Sequence, residues 1–136
     1  MLRLLRILVA VAALVTVTSV AADDPIKDRR AWLKDAFSHL EKGEVEKFQL
    51  LLDKTLGQEM HNDVVLAVMP LQDLVGKVPA QNVDLLNMQK LGKSFELYDY
   101  AAYYGGRDFL FYRFIFAKLG KTWHLWSVDF SEELPN

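Results

Sequence analysis

Residues 94 to 130 constrain this chain more than any other stretch. They read SFELYDYAAYY, GGRD, FLFYRFIFAK, LGK and TWHLWSVDF: three runs rich in aromatic and β-branched residues, separated by two glycine-bearing turns. Such runs suit a pleated, packed surface, so the stretch predicts a three-strand antiparallel meander. Pairing Tyr104 with Arg107 across Gly105-Gly106 sets Tyr100 opposite Phe111 and Tyr98 opposite Arg113, and a turn at Leu119-Gly120 sets Arg113 opposite Trp126. In that register one face carries Glu96, Tyr98, Tyr100, Arg113, His124 and Trp126, and the other carries Asp99, Tyr112, Ser127 and Asp129. A glycine bulge at either turn would slip a strand by one residue and exchange its faces. In any register both faces are largely apolar, whereas an antiparallel sheet with one wet face alternates with polar residues. Helices cover one side of a small domain. The other side must meet a second copy, a partner, a ligand or a curled part of the same chain, and a homodimer through a sheet face is the least demanding answer.

The chain opens MLRLLRILVAVAALVTVTSVAADDP, with Arg3 and Arg6 ahead of an uncharged run from Ile7 to Ala22. This pattern predicts a signal peptide over residues 1–22, cleaved after Ala21 or Ala22, and a secreted or periplasmic product. Its strongly apolar part, Ile7 to Val17, is shorter than the roughly 20 residues that span a bilayer, so no stable membrane span is expected after cleavage. The sequence has no cysteine, which excludes disulfides, thiolate chemistry and lipid attachment at a cysteine. Residues 23–136 then suit a single domain. Taking Arg3 and Arg6 from the 16 basic side chains leaves 14 against 18 acids, a net charge near −4 that does not favour nucleic acid or anionic lipid.

Asp24-Pro25 reads as a helix start, followed by an apolar stripe of Ile26, Leu33, Ala36, Phe37 and Leu40 that Gly43 ends. Val45, Phe48, Leu51, Leu52 and Leu56 repeat the pattern before Gly57. A third segment, 64–78, has Leu66, Met69, Leu71, Leu74 and Val75 as its apolar face, with Pro70 predicting a kink or two short pieces; a short strand at 64–69 is the alternative. Val83 to Leu91 reads as a first, partly exposed strand. The fold class is therefore α+β, with N-terminal helices packed on a curved antiparallel sheet of about four strands.

Helices first, then a long-stranded sheet ending on Gly120-Lys121-Thr122-Trp123-His124-Leu125 and Phe130, resembles the nuclear-transport-factor-2-like (cystatin-like) group of small α+β rolls. The likeness spans most of residues 25 to 131, with one residue more between Gly120 and Trp123 than the group's Gly-x-Trp-x-Leu ending. It implies a curved sheet around the helices, a cone-shaped cavity between the layers and frequent dimerisation through the sheet. It implies no activity, since the group holds isomerases, dehydratases and hydrolases beside members with no chemistry.

Asp99, Tyr112 and Asp129, with Ser127 beside them, are the candidate acid–base residues, because a carboxylate beside a tyrosine in an apolar cavity can move a proton. Their bland reading is a solvated end of the sheet. Tyr98, Tyr100, Arg113, His124 and Trp126 are the candidate binding residues, set against an ordinary ion pair packed with a tyrosine and a tryptophan. His39 and His61 lack a second ligand at metal spacing, so no metal site and no cofactor are expected. The leading expectation is an exported, non-catalytic domain that binds a partner or a small apolar ligand. The alternative is a cavity enzyme doing isomerase-, dehydratase- or hydrolase-type chemistry on a small hydrophobic substrate.

Overall fold

The computed structural model describes residues 5–8, 25–57 and 60–136. Three helices pack on an antiparallel sheet of four long strands, with a short fifth strand at one edge, which is the α+β arrangement expected. In chain order the elements are β1 (Leu5–Leu8), α1 (Arg29–Glu41), α2 (Val45–Leu56), α3 (His61–Val75), β2 (Asn82–Leu91), β3 (Phe95–Tyr103), β4 (Phe109–Leu119) and β5 (Thr122–Ser131). The order across the sheet is β1-β5-β4-β3-β2, so the last four strands form a simple meander. The leader assigned to residues 1–22 lies outside the described residues except for Leu5–Leu8, whose backbone pairs with β5.

α1 begins later than Asp24-Pro25 implies. Asp28 is the N-cap, accepting from the Ala31 N–H at 3.1 Å, and Ile26 is held by the sheet, its N–H donating to the Trp123 carbonyl at 2.7 Å. A working side-chain cap and a sheet bridge together displace the start signal at Pro25. Leu33, Ala36, Phe37 and Leu40 form the buried stripe, and Val45, Phe48, Leu52 and Leu56 form that of α2. Between them Gly43 has φ +71, and a Cβ there would run into the Lys77 backbone carbonyl, so the turn requires glycine for space as well as conformation.

α3 is one continuous helix through Pro70, rather than two pieces or a strand. Its buried line is Val64, Val68, Leu71 and Val75, whereas Leu66 and Met69, expected to face inward, are 63% and 50% exposed. Helical three- and four-residue steps from Leu71 and Val75 lead to the valines, and this spacing outweighs the greater size of Leu66 and Met69.

Strand register is set by one loop and two bulges. The β3–β4 connection spans Tyr104 to Asp108, closed by Tyr104 N–H to the Asp108 carbonyl and Asp108 N–H to the Gly105 carbonyl, each at 2.9 Å. Tyr100 therefore pairs with Tyr112 and Asp99 with Arg113, one residue away from the two-residue-turn register. Gly120-Lys121 joins β4 to β5 by pairing Leu119 with Thr122, but Phe116 faces Leu125 while Ile115 faces Ser127, which leaves Trp126 as a bulge. A second bulge lies at Leu86 in β2. Bulges bend and twist the strands that carry them, which curves the sheet over the helices.

The helix-facing side carries Tyr98, Ala102, Leu110, Tyr112, Phe114, Phe116, Leu125, Val128 and Phe130. Phe114 meets Trp32 and Phe37 edge-on at 5.8 and 5.7 Å, and Phe48 meets Tyr112 and Phe130 at 6.4 and 6.1 Å. Phe48, Tyr112, Phe114 and Phe116 are wholly buried, so the middle of the space where the resemblance implies a cone-shaped cavity is filled by rings. A groove of about 510 Å³ opens on the β2 side, lined by Phe37, Val83, Leu85 and Tyr100 with Asp28, Arg30, Lys34 and Glu41 among its charged residues.

Candidate binding face

The outer face of the sheet, away from the helices, has a polar row across its middle. Asn87, Asp99, Arg113 and Asp129 stand in register on successive strands, and Arg6 is next in register on β1. The Arg113 guanidinium donates Nε–H to Asp99 Oδ1 at 2.7 Å and Nη2–H to Oδ2 at 2.9 Å, a two-pronged ion pair. Nη2 also donates to the Asn136 carbonyl at 3.3 Å, so the C-terminal residues turn back beside the row around a recess of about 240 Å³. The Asp99 hydrogen bond raises the Arg113 pKa; burial opposes it, and the charges of Asp99 and Asp129 add to the rise.

Aromatic side chains flank the row at both ends of the face. Phe109 stacks with Phe111 at 6.4 Å and packs on Tyr103 at 4.8 Å, while Phe95 meets Trp126 edge-on at 6.0 Å. Phe95 and Phe109 are 37% and 44% exposed. An internally paired ion row between exposed rings has the composition of a recognition surface: apolar area for affinity and fixed charges for register.

The structure brings only some of the expected residues together. Asp99, Ser127 and Asp129 share the outer face, but Tyr112 is on the helix side, fully buried, its hydroxyl 2.7 Å from that of Tyr104. Burial, then the charge and hydrogen bond of Tyr104, keep the Tyr112 phenol protonated well above its ordinary range; burial pushes Tyr104 up to about 12. The thickness of the sheet separates this pair from both aspartates. Likewise Tyr98 and Tyr100 face the helices, whereas Arg113 and His124 face outward and Trp126 sits at the bulge. His124 Nε2 lies 2.8 Å from the Thr122 hydroxyl. His61 heads α3 and meets Asp53 at 3.0 Å.

Sequence reasoning missed the partner of Glu96. Arg29, the first residue of α1, donates to both Glu96 carboxylate oxygens at 2.7 and 3.1 Å, and the Tyr98 hydroxyl donates to one of them at 2.8 Å. The guanidinium lies 4.1 Å above the Trp123 ring. The available signal was a glutamate two residues before Tyr98 on the core-facing side of β3, a place that demands a cation from the covering helix. Burial pushes the Glu96 carboxyl up, but hydrogen bonds from Arg29 and Tyr98 and the Arg29 charge outweigh it, so its pKa is lowered. Tyr98 is pushed up to about 12 by burial and by Glu96. A depressed carboxyl contributes stability above its unfolded pKa of about 4.3 and loses it as pH falls through the folded value. Melting temperature is expected to drop as pH falls below about 4.3, and Glu96→Gln is expected to cost about 1–3 kcal/mol at pH 7 while flattening part of that drop. Thermal melts of both proteins across this range check it; an unchanged acid limb in the variant would remove Glu96 as a cause.

Among the described residues no group of three or more His, Cys, Asp or Glu side chains could hold a metal ion, and no helix is long and apolar enough to cross a membrane. No protein-family model, curated protein or solved structure matches the chain.

Proposed function

We propose that this chain is an exported, secreted or periplasmic, non-catalytic binding domain, a small roll of the nuclear-transport-factor-2-like kind that works as a homodimer through its outer sheet face. The observation that carries this reading is the pair of exposed aromatic clusters, around Phe95 and Phe109, on either side of the Asp99–Arg113–Asp129 row. Pairing within the row limits the charge to be stripped of water on docking, and the rings supply apolar area. Sedimentation of the exported chain at tens of micromolar is expected to give twice the monomer mass. Phe109→Glu, at an exposed position that leaves the core intact, is expected to weaken self-association at least about tenfold, or about 1.4 kcal/mol. A strict wild-type monomer under these conditions would overturn the dimer.

A second reading has its own observation, the groove of Phe37, Val83, Leu85 and Tyr100 between α1 and β2, which suits a small apolar ligand. The acid–base alternative loses its footing, because Tyr112 lies across the sheet from Asp99 and Asp129.

A further inference from the structure

β5 is covered at its outer edge by the chain's own first residues. Leu5–Leu8 run antiparallel to it, with Leu5 against Phe130, Arg6 against Asp129, Ile7 against Val128 and Leu8 against Ser127. α3 also contacts β1, so these residues occupy a slot formed by β5 and α3. All of them fall within residues 1–22, the segment read as a leader and removed on export. We infer that leader removal opens this slot, and that the exported chain uses it to bind an extended segment of another protein, of the pattern apolar–basic–apolar, laid antiparallel along Phe130-Asp129-Val128. The inference rests on the proposal of export with cleavage.

A strand edge with free N–H and C=O groups is a template for an added strand, and side-chain alternation supplies the selectivity. Val128 and Phe130 face the helices at 0% and 4% exposure, so residues registered against them share an apolar face. Asp129 belongs to the outer row in which Asp99, Arg113 and Asp129 alternate in sign, and Arg6 continues that alternation in register.

Two other occupants fit less well. After cleavage the chain's own start is Ala22 or Asp23, followed by Asp24-Pro25, and Ile26 is fixed against Trp123. Continued antiparallel from that bridge, it reaches no further than Ser127, the end position of the slot, and brings two acids. A second copy pairing β5 with β5 about Asp129 would set two Asp129 carboxylates side by side. The opposite edge, β2, is protected by its bulge at Leu86 and by Asp84 and Lys90.

The test is to express the full chain with its leader in a secreting bacterial host and read the exported product's mass. Its amide exchange is then followed with a synthetic Leu-Arg-Ile-Leu peptide carrying lysines at one end for solubility. Expected are a product lacking residues 1–22, slowed exchange confined to residues 127–130 on adding peptide, and several-fold weaker binding when the peptide arginine is replaced by glutamate. A cleaved product that ignores the peptide, or binds both peptides equally, overturns the slot and leaves export standing. A product that keeps residues 1–22 overturns export and the slot with it. A cleaved product that doubles in mass with protection at 127–130 before peptide is added makes a second copy the occupant and overturns the proposed partner.

Discussion

Arg113→Ala is expected to lower unfolding free energy by about 3–5 kcal/mol, through what it leaves behind more than through the arginine lost. Asp99 and Asp129 are 4% and 6% exposed on either side of Arg113, and Asp99 takes both prongs of its guanidinium. Without the cation, two carboxylates remain on the strands either side of β4 in a nearly dry row. The loss is therefore that of stranded charge more than of packing. Arg113→Lys keeps the charge but loses the fork, so an intermediate cost is expected. Combining Arg113→Ala with Asp99→Ala should return part of the stability, because the stranded acid goes with its partner. Urea unfolding of the four proteins measures these effects. A double variant that recovers no stability over Arg113→Ala would mean the side chain acts by packing alone.

Phe114→Ala is expected to cost about 3–5 kcal/mol, the range for emptying a phenylalanine-sized space in a core that relaxes only in part. Its ring meets Trp32 and Phe37 of α1, Tyr100 of β3 and Tyr112 of β4, all within 6.5 Å between centroids. One truncation therefore loosens the helix layer and the sheet together. Phe109→Ala supplies the contrast: the same change at a ring 44% exposed on the outer face is expected to cost under about 1 kcal/mol. Similar losses at the two positions in chemical denaturation would contradict the assignment of inner and outer faces.

The meander, its edge strand at 82–91 and the first two helices were legible because alternation and helical spacing are local signals. The two faces of the sheet were legible only in part, and the errors have identifiable origins. Gly105-Gly106 suggested a two-residue turn, but the loop runs from Tyr104 to Asp108 and slips β4 by one residue against β3. That slip moved Tyr112 to the core and Arg113 to the outside. The β4–β5 turn falls at Gly120-Lys121 instead of Leu119-Gly120 and the bulge at Trp126 adds one residue, so Arg113 faces Asp129, three residues from Trp126. Shifts of one and three residues together are even and keep β5 on the expected side relative to β3, which is why Asp99, Ser127 and Asp129 were grouped correctly while the residue between them was mistaken. The Arg29–Glu96 pair joins residues 67 apart in sequence and leaves no periodic trace. The start of α1 was misplaced for a similar reason, since Ile26 answers to Trp123 at the other end of the chain.

The pairing of β1 with β5 joins residues far apart in sequence, Leu5 with Phe130 and Leu8 with Ser127. A ribosome makes the amino end first, so the strand that would hold Leu5–Leu8 does not exist until every other element of the fold has been made. For a segment proposed to direct export, that delay keeps it available to the secretion machinery until β5 emerges.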